Sequence, residues 1–256
     1  MRKCSINKNL NFKAKILGVE FETNSCGKCR VVEYTNAKDL VVEFEEYPCR
    51  VRCTLSHLRL REVSNPMYPS CYGVGYIGVG EFRPTKNNVA YKIWMGVLDR
   101  CYGRKERYPA YEDVTVCEEW WNFQNFAEWF YSQEHSQSKD HNGRLYNIDK
   151  DILVKGSRIY SPETCCFVPN EVNTCINRKN RGLTNVRQMS KFRWSSRINR
   201  FGKEKHLGSF ETELEAFVAY KEAKSAYVAE VAEKWEGKID DKVYQALLEW
   251  KIEITD

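Results

Sequence analysis

Apolar and polar positions alternate through the first eighty residues. FKAKILGVEF (12–21), CRVVEYT (29–35), DLVVEFEEY (39–47) and RVRCTLSHLRL (50–60) are short runs rich in β-branched and aromatic residues. TNSCGK and TNAKD supply turn residues between them. Four or five strands at this spacing predict a small, strongly bent sheet of β-barrel-like form over 1–80. NPMYPSCYGVGYIGVG (65–80) then reads as a loop and the first domain boundary. Its GVGYIGVG stretch lacks the Lys-Ser/Thr and the following helix of a phosphate-binding loop.

The period changes to three and four between residues 88 and 135. Tyr91, Trp94, Met95, Leu98 and Tyr102 mark one helix, and Trp120, Phe123, Phe126, Ala127 and Phe130 mark a second. Both stripes are aromatic and read as core. A polar loop follows, then a hairpin-like pair with a tight turn at Lys155-Gly156 and a helical stretch after Pro169.

Alternation returns after residue 183. In KFRWSSRIN, Phe192, Trp194, Ser196 and Ile198 fall on one face, and Arg193, Ser195, Arg197 and Asn199 on the other. RFGK is a turn and EKHLGSF a second strand. A helix is expected after Thr212, with Glu213 and Glu215 in its first turn, where the helix dipole favours carboxylates. Leu214, Phe217 and Val218, with Tyr220 and Ala223, are its expected inward residues. KVYQALLEWKIEI adds a last helix or a helix-to-strand tail. The fold class that results is α+β multidomain, divided at 1–80, 85–180 and 183–256.

Charge singles out one segment. The net charge is +5, but between Asn177 and His206 ten Lys and Arg residues, with His206 besides, face only Glu204. A segment this basic suits a polyanion, with a solvated basic face as the alternative. No apolar run approaches the ~20 residues of a membrane span. The 11 cysteines are an odd number in a long chain and read as free thiols or metal ligands in a reducing, intracellular setting. Cys26, Cys29, Cys49 and Cys53 have the spacing of two zinc knuckles, with buried thiols as the alternative.

Trp194, Ile198, HLGSF (206–210), ETELEA (211–216) and AYKEAKSAY (219–227) resemble the APETALA-two type of DNA-binding domain, in which a sheet backed by one helix lies in the major groove. The resemblance implies that Arg193, Arg197, Asn199 and His206 face the bases, and that Lys191 and Lys205 face phosphates. YKIWMGVLDRCYG, YEDVTVCEEWWNFQNFAEWF, IDKDILVKG and YSPETCCFVPNEVN, preceded by PSCYGVGYIGVG, resemble the HNH-type endonucleases common in bacteriophage genomes. That likeness implies a ββα-metal core with flanking helices over 85–180. It also implies double-stranded DNA as partner, Mg²⁺ or Mn²⁺ as cofactor, and a phage-encoded protein acting in the host cytoplasm.

The family's chemistry needs a general base, usually His, and a divalent metal. This chain reads Asn147-Ile148-Asp149 where the pattern has its His two residues before the Asp, and an amide is not a base. Ser157 stands at the Asn of the Gly-Asn step. Asp149, Asp151 and Asn173 remain for the metal, with Asn170 as a spare, and His141 or His135 as the replacement base. Cys101, Cys117, Cys165 and Cys166 recur inside the family-like motifs as candidates for a second zinc or for core packing. Two functions follow: a metal-dependent endonuclease, or an inactive relative that binds DNA or a host or phage protein.

Overall fold

The computed structural model describes residues 12–176 and 185–253. Arg178, Lys179 and Arg181 of the basic segment lie outside them. The protein is of mixed helix and sheet, with several small sheets in two compact units. One unit holds the residues up to Glu112 together with Glu118–Glu128. The other holds Asp113–Cys117 and the residues from Trp129 onward.

The first unit opens on a short helix at 12–16 and an antiparallel meander: β1 (Glu20–Glu22), β2 (Lys28–Asn36), β3 (Asp39–Phe44) and β4 (Cys49–Cys53), in that order. Alternation along β3 buries Leu40, Val42 and Phe44. These pack with Ile16, Val31, Tyr34, Leu55 and Leu58. The sheet stays open, and no sheet closes into a barrel among the described residues, so the expected barrel-like form becomes a four-stranded open sheet. The fourth expected strand also ends early. Thr54 Oγ1 accepts from His57 N at 3.2 Å and starts helix α1 (Leu55–Arg59). Leu55 and Leu58, three apart, then point into the core, where a strand would have sent them to opposite faces.

The glycine-rich loop is packed structure. Gln124 donates from Nε2 to the carbonyls of Ile77 (3.0 Å) and Phe82 (3.1 Å) and accepts from Phe82 N (3.0 Å). A Cβ on Gly78 would lie 2.0 Å from Asn122 Oδ1, and one on Gly80 2.3 Å from Gln124 Oε1. The glycines let the backbone approach these two amides. The domain break expected near residue 80 falls inside this clamped segment. Helix α2 (Val89–Tyr102) begins on Asn88, whose Oδ1 accepts from Tyr91 N. Trp94 is fully buried at its centre, donating from Nε1 to the Trp120 carbonyl at 2.6 Å beside Phe123.

The second unit begins with β5 (Thr115–Val116). Helix α3 (Phe123–Ser132) then contributes residues to both units. β6 (Asn147–Asp149) pairs antiparallel with β8 (Cys166–Val168), β7 (Ile159–Tyr160) pairs parallel with β5, and α4 (Asn170–Ile176) follows Pro169. Phe167, opposite Ile148, lies against Trp129 and Phe130 at ring separations of 5.5 and 5.4 Å.

The last sheet has the order β11-β10-β9, with β9 (Val186–Ser190), β10 (Arg193–Arg200) and β11 (Lys203–Phe210). Behind it runs α5 (Glu213–Trp235), a helix of 23 residues begun by a reciprocal cap between Thr212 and Glu215. Its first turns bury Ala216 and Phe217 with Val186, against which Trp194 and Phe210 pack. Its last turn belongs to the ββα part. Trp235 Nε1 donates to Glu171 Oε2 at 2.7 Å, and Lys234 Nζ to both Glu171 oxygens at 2.8 Å. One helix therefore joins the sheet to α4. Helix α6 (Asp241–Leu248) closes the unit.

HLGSF acquires a physical reason here. Gly208 has φ +150°, and a Cβ there would sit 3.0 Å from the Phe210 ring. The strand is irregular at this point, with Ser196 opposite Gly208 but Arg197 opposite His206, so that Leu207 is the extra residue of a bulge. Gly208→Ala is expected to lower stability by about 1–3 kcal/mol, read as a shifted urea midpoint. An unchanged midpoint contradicts this role.

Candidate nucleic-acid interface and ββα core

The pairing of β10 assigns every side chain of the ribbon to a face. Trp194 pairs with Phe210, Ser196 with Gly208, Ile198 with Lys205 and Arg200 with Lys203, all on the helix side. Ser195 pairs with Ser209 and with Arg187, Arg197 with His206, and Asn199 with Glu204, all on the opposite side. The outward face thus carries Arg187, Arg193, Arg197, Asn199 and His206, each exposed. Glu204 is the acid among them, and it holds Arg197 Nη1 at 2.9 Å. Ser195 Oγ lies 3.3 Å from His206 Nδ1, which fixes the imidazole over the middle of the sheet.

The expected base-facing set, Arg193, Arg197, Asn199 and His206, shares this face. Lys205 does not. It is next to His206 on a strand, so it pairs with Ile198 on the helix side. Lys191 is in the β9–β10 turn, its ammonium 5.3 Å from the Phe192 ring centroid. Arg187 was missed as a face residue because the reading of the sequence began its strand pattern only at Lys191. Arg200, by contrast, is spent on the fold, with its guanidinium paired to Glu230 and lying over Tyr227. Phe192, expected inside with Trp194, is 73% exposed, and Leu214 and Val218, expected inward on the helix, are 64% and 44% exposed.

The turn after β6 is also fully specified. Asp149 is buried, and its Oδ1 accepts from the backbone N–H of Asp151 (2.8 Å) and Ile152 (3.0 Å). Burial raises its pKa, and the nearby Asp151 charge adds to this; the two backbone donors and Lys150 oppose it. Asp151 binds the ammonium of the buried Lys150 through both oxygens, at 3.0 and 2.9 Å, and Lys150 Nζ also donates to the Ser157 carbonyl at 2.7 Å. An ammonium thus engages both oxygens of the Asp151 carboxylate. Ser157, at the pattern's Asn position, uses its hydroxyl on the Ile159 carbonyl. Asn173 is on α4, its backbone N–H donating to the Pro169 carbonyl, and Asn170 is that helix's first residue.

The two candidate bases also belong to the second unit. His141 is exposed, its ring 6.4 Å from that of Trp235 and its Nε2 beside the Asn142 amide. His135 contacts Ser138 Oγ through Nδ1 (3.3 Å) and Asp240 Oδ1 through Nε2 (3.9 Å). With Glu134 these side chains make a group whose ligand atoms lie within 4.8 Å of one another. Among the described residues this is the one such trio of His, Cys or carboxylate side chains.

Among the described residues, no three cysteines bring their sulfurs within 4.8 Å of one another. Cys29 and Cys49 both pair with Phe44, from opposite sides of β3, so roughly 9–10 Å separates their backbones. Tetrahedral zinc needs four sulfurs, each about 2.3 Å from the ion. Cys26 and Cys29 instead fill the core, with Cys53 packed against it, and Cys49 Sγ contacts the Arg50 carbonyl. Burial, and then Cys53, push the Cys29 thiol up to about 11; burial pushes Cys165 up to about 12 and Cys166 well above its usual value. Cys101 is also buried and Cys117 half-buried, and none of these eight cysteines is in a disulfide.

No family model matches the sequence, and no curated protein and no solved structure matches it.

Proposed function

We propose that this protein binds double-stranded DNA through the outward face of its C-terminal ribbon, and that its ββα part is a core of the HNH type in which binding, not strand cleavage, is the retained activity. The observation that carries the reading is the grouping of Arg187, Arg193, Arg197, Asn199 and His206 on one exposed face against a single acid. An antiparallel ribbon can enter the major groove. Arginine forms paired hydrogen bonds to guanine, asparagine to adenine, and all three cations draw on phosphate.

Metal-dependent nicking through Asp149, Asp151 and Asn173 with Mg²⁺ or Mn²⁺ is the second reading. The strand–strand–helix order of β6, β8 and α4 favours it. Against it stand the Lys150 ammonium on Asp151, the Asp149 carboxylate committed to its own turn, and an asparagine at the position of the base. A nicking assay on supercoiled plasmid, with Mg²⁺ or Mn²⁺, separates the two. The expected result is a duplex mobility shift with no metal-dependent nicking. Nicking that is lost in Asp149→Asn, which keeps an acceptor for the two backbone N–H groups, would overturn the non-cleaving reading in favour of the endonuclease. Among the described residues no helix is long and apolar enough to cross a membrane.

A further inference from the structure

The two hairpin turns of the ribbon each carry a phenylalanine, Phe201 at 45% and Phe192 at 73% exposure, and they differ in what their rings touch. Phe201, in the β10–β11 turn, is folded back onto α5. Its ring meets Tyr227 edge-on at 5.1 Å, its backbone N–H donates to the Tyr227 hydroxyl, and the Lys234 ammonium lies over it. Phe192, in the β9–β10 turn, is 73% exposed, with the adjacent Lys191 ammonium 5.3 Å from its ring centroid. Met189, at the end of β9, is 56% exposed. A bare aromatic tip of this kind contributes nothing to the core.

The chemistry around Phe192 narrows what it is for. Lys191 and Arg193 flank it, and the tip from Arg187 to Arg193 contains no acid. Arg193 closes the turn by pairing with Ser190 and shares the outward face with Arg187 and Arg197. A protein pocket for Phe would have to tolerate this cationic collar. A nucleic acid offers both features the tip requires, phosphates for the cations and a stack of apolar rings for the phenyl group. Apolar side chains can part a base step, as those of minor-groove proteins do, and the tip of a ribbon in the major groove would meet the same stacked step from the other side.

From this contrast we propose that Phe192 is a wedge that enters a base step of bound duplex DNA while the neighbouring cations hold the flanking phosphates. The proposal rests on the groove-binding reading above and deepens it: the ribbon distorts its site as well as touching it. Phe192 would then contribute affinity that does not depend on salt, because stacking releases no counterions.

The test uses the full-length protein and a duplex with 2-aminopurine placed at successive steps, whose fluorescence rises on unstacking. Wild type is expected to raise the fluorescence at one step. Phe192→Ala is expected to lose that rise and to bind about 5- to 100-fold more weakly, with the slope of affinity against salt unchanged. Phe192→Leu, which keeps an apolar wedge, should retain most of both. An unchanged thermal midpoint for the variants shows that they fold. Wild-type binding without any fluorescence rise, or Phe192→Ala binding as tightly as wild type, overturns the wedge and leaves groove binding standing. A wild type that binds no duplex even at low salt overturns both.

Discussion

Replacing Arg193 and Arg197 together by glutamate is expected to weaken duplex binding by about 100-fold or more, since each arginine supplies on the order of 1–3 kcal/mol to a base or phosphate. Both side chains are exposed and point away from α5, so the thermal midpoint should hold. Arg197 has a second reason to matter. Its partner Glu204 sits across from Asn199, and an Arg197→Glu chain would face that carboxylate with one of its own. Gel shift or anisotropy on wild type, the two single variants and the double variant gives the answer. Affinity that survives the double reversal would mean that DNA does not meet this face.

The second large effect lies in the first unit. Trp94→Ala should lower the stability of the first unit by about 3–5 kcal/mol. The indole is fully buried, it stacks with Phe123 and Tyr91 at 5.4 and 5.9 Å, and its N–H is the partner of the Trp120 carbonyl. Deletion leaves both a cavity and a buried acceptor without its donor. Trp94→Phe should recover the packing in part and the hydrogen bond not at all, so its loss should be intermediate. Urea unfolding followed by far-ultraviolet circular dichroism reads both. A loss under about 1 kcal/mol for Trp94→Ala would show that the site is not a core.

Much of the ribbon was legible because a strand's period of two is rigid. Trp194, Ser196 and Ile198 against Arg193, Arg197 and Asn199 follow from sequence alone, and the register agrees. Phe192 broke the pattern because the strand starts one residue later, and a hydrophobic residue in a turn looks the same on paper as one in a strand. The helix stripe was placed only in part. Phe217 is buried and Tyr220 packs against the core as expected, but the inward line begins on Ala216 and runs on through Tyr227, Val228, Val231, Ala232 and Trp235. An alanine methyl signals little burial, so the larger Leu214 and Val218 drew the reading to the solvent side. Lys205 and His206 were both given to DNA although consecutive strand residues face opposite ways.

Long-range packing was out of reach. Nothing local says that the carboxylate of Glu171 will take Lys234 and Trp235, some sixty residues on, and so tie α5 to α4. Nor does IDKDI declare that Lys150 will turn inward onto Asp151 and the Ser157 carbonyl. Spacing made Asp149 and Asp151 look like a pair of metal ligands. Geometry makes one of them a turn cap and the other the partner of a buried ammonium. Knuckle spacing in the N-terminal cysteines likewise carries no information about Cys29 and Cys49 lying on either side of one strand.

The most direct test is the salt dependence of wild-type affinity for a short duplex. Engagement of Arg187, Lys191, Arg193 and Arg197 with phosphate predicts that log K falls against log salt with a slope of roughly −3 to −4. A slope near zero, or no binding at low salt, would contradict a cationic ribbon seated on DNA.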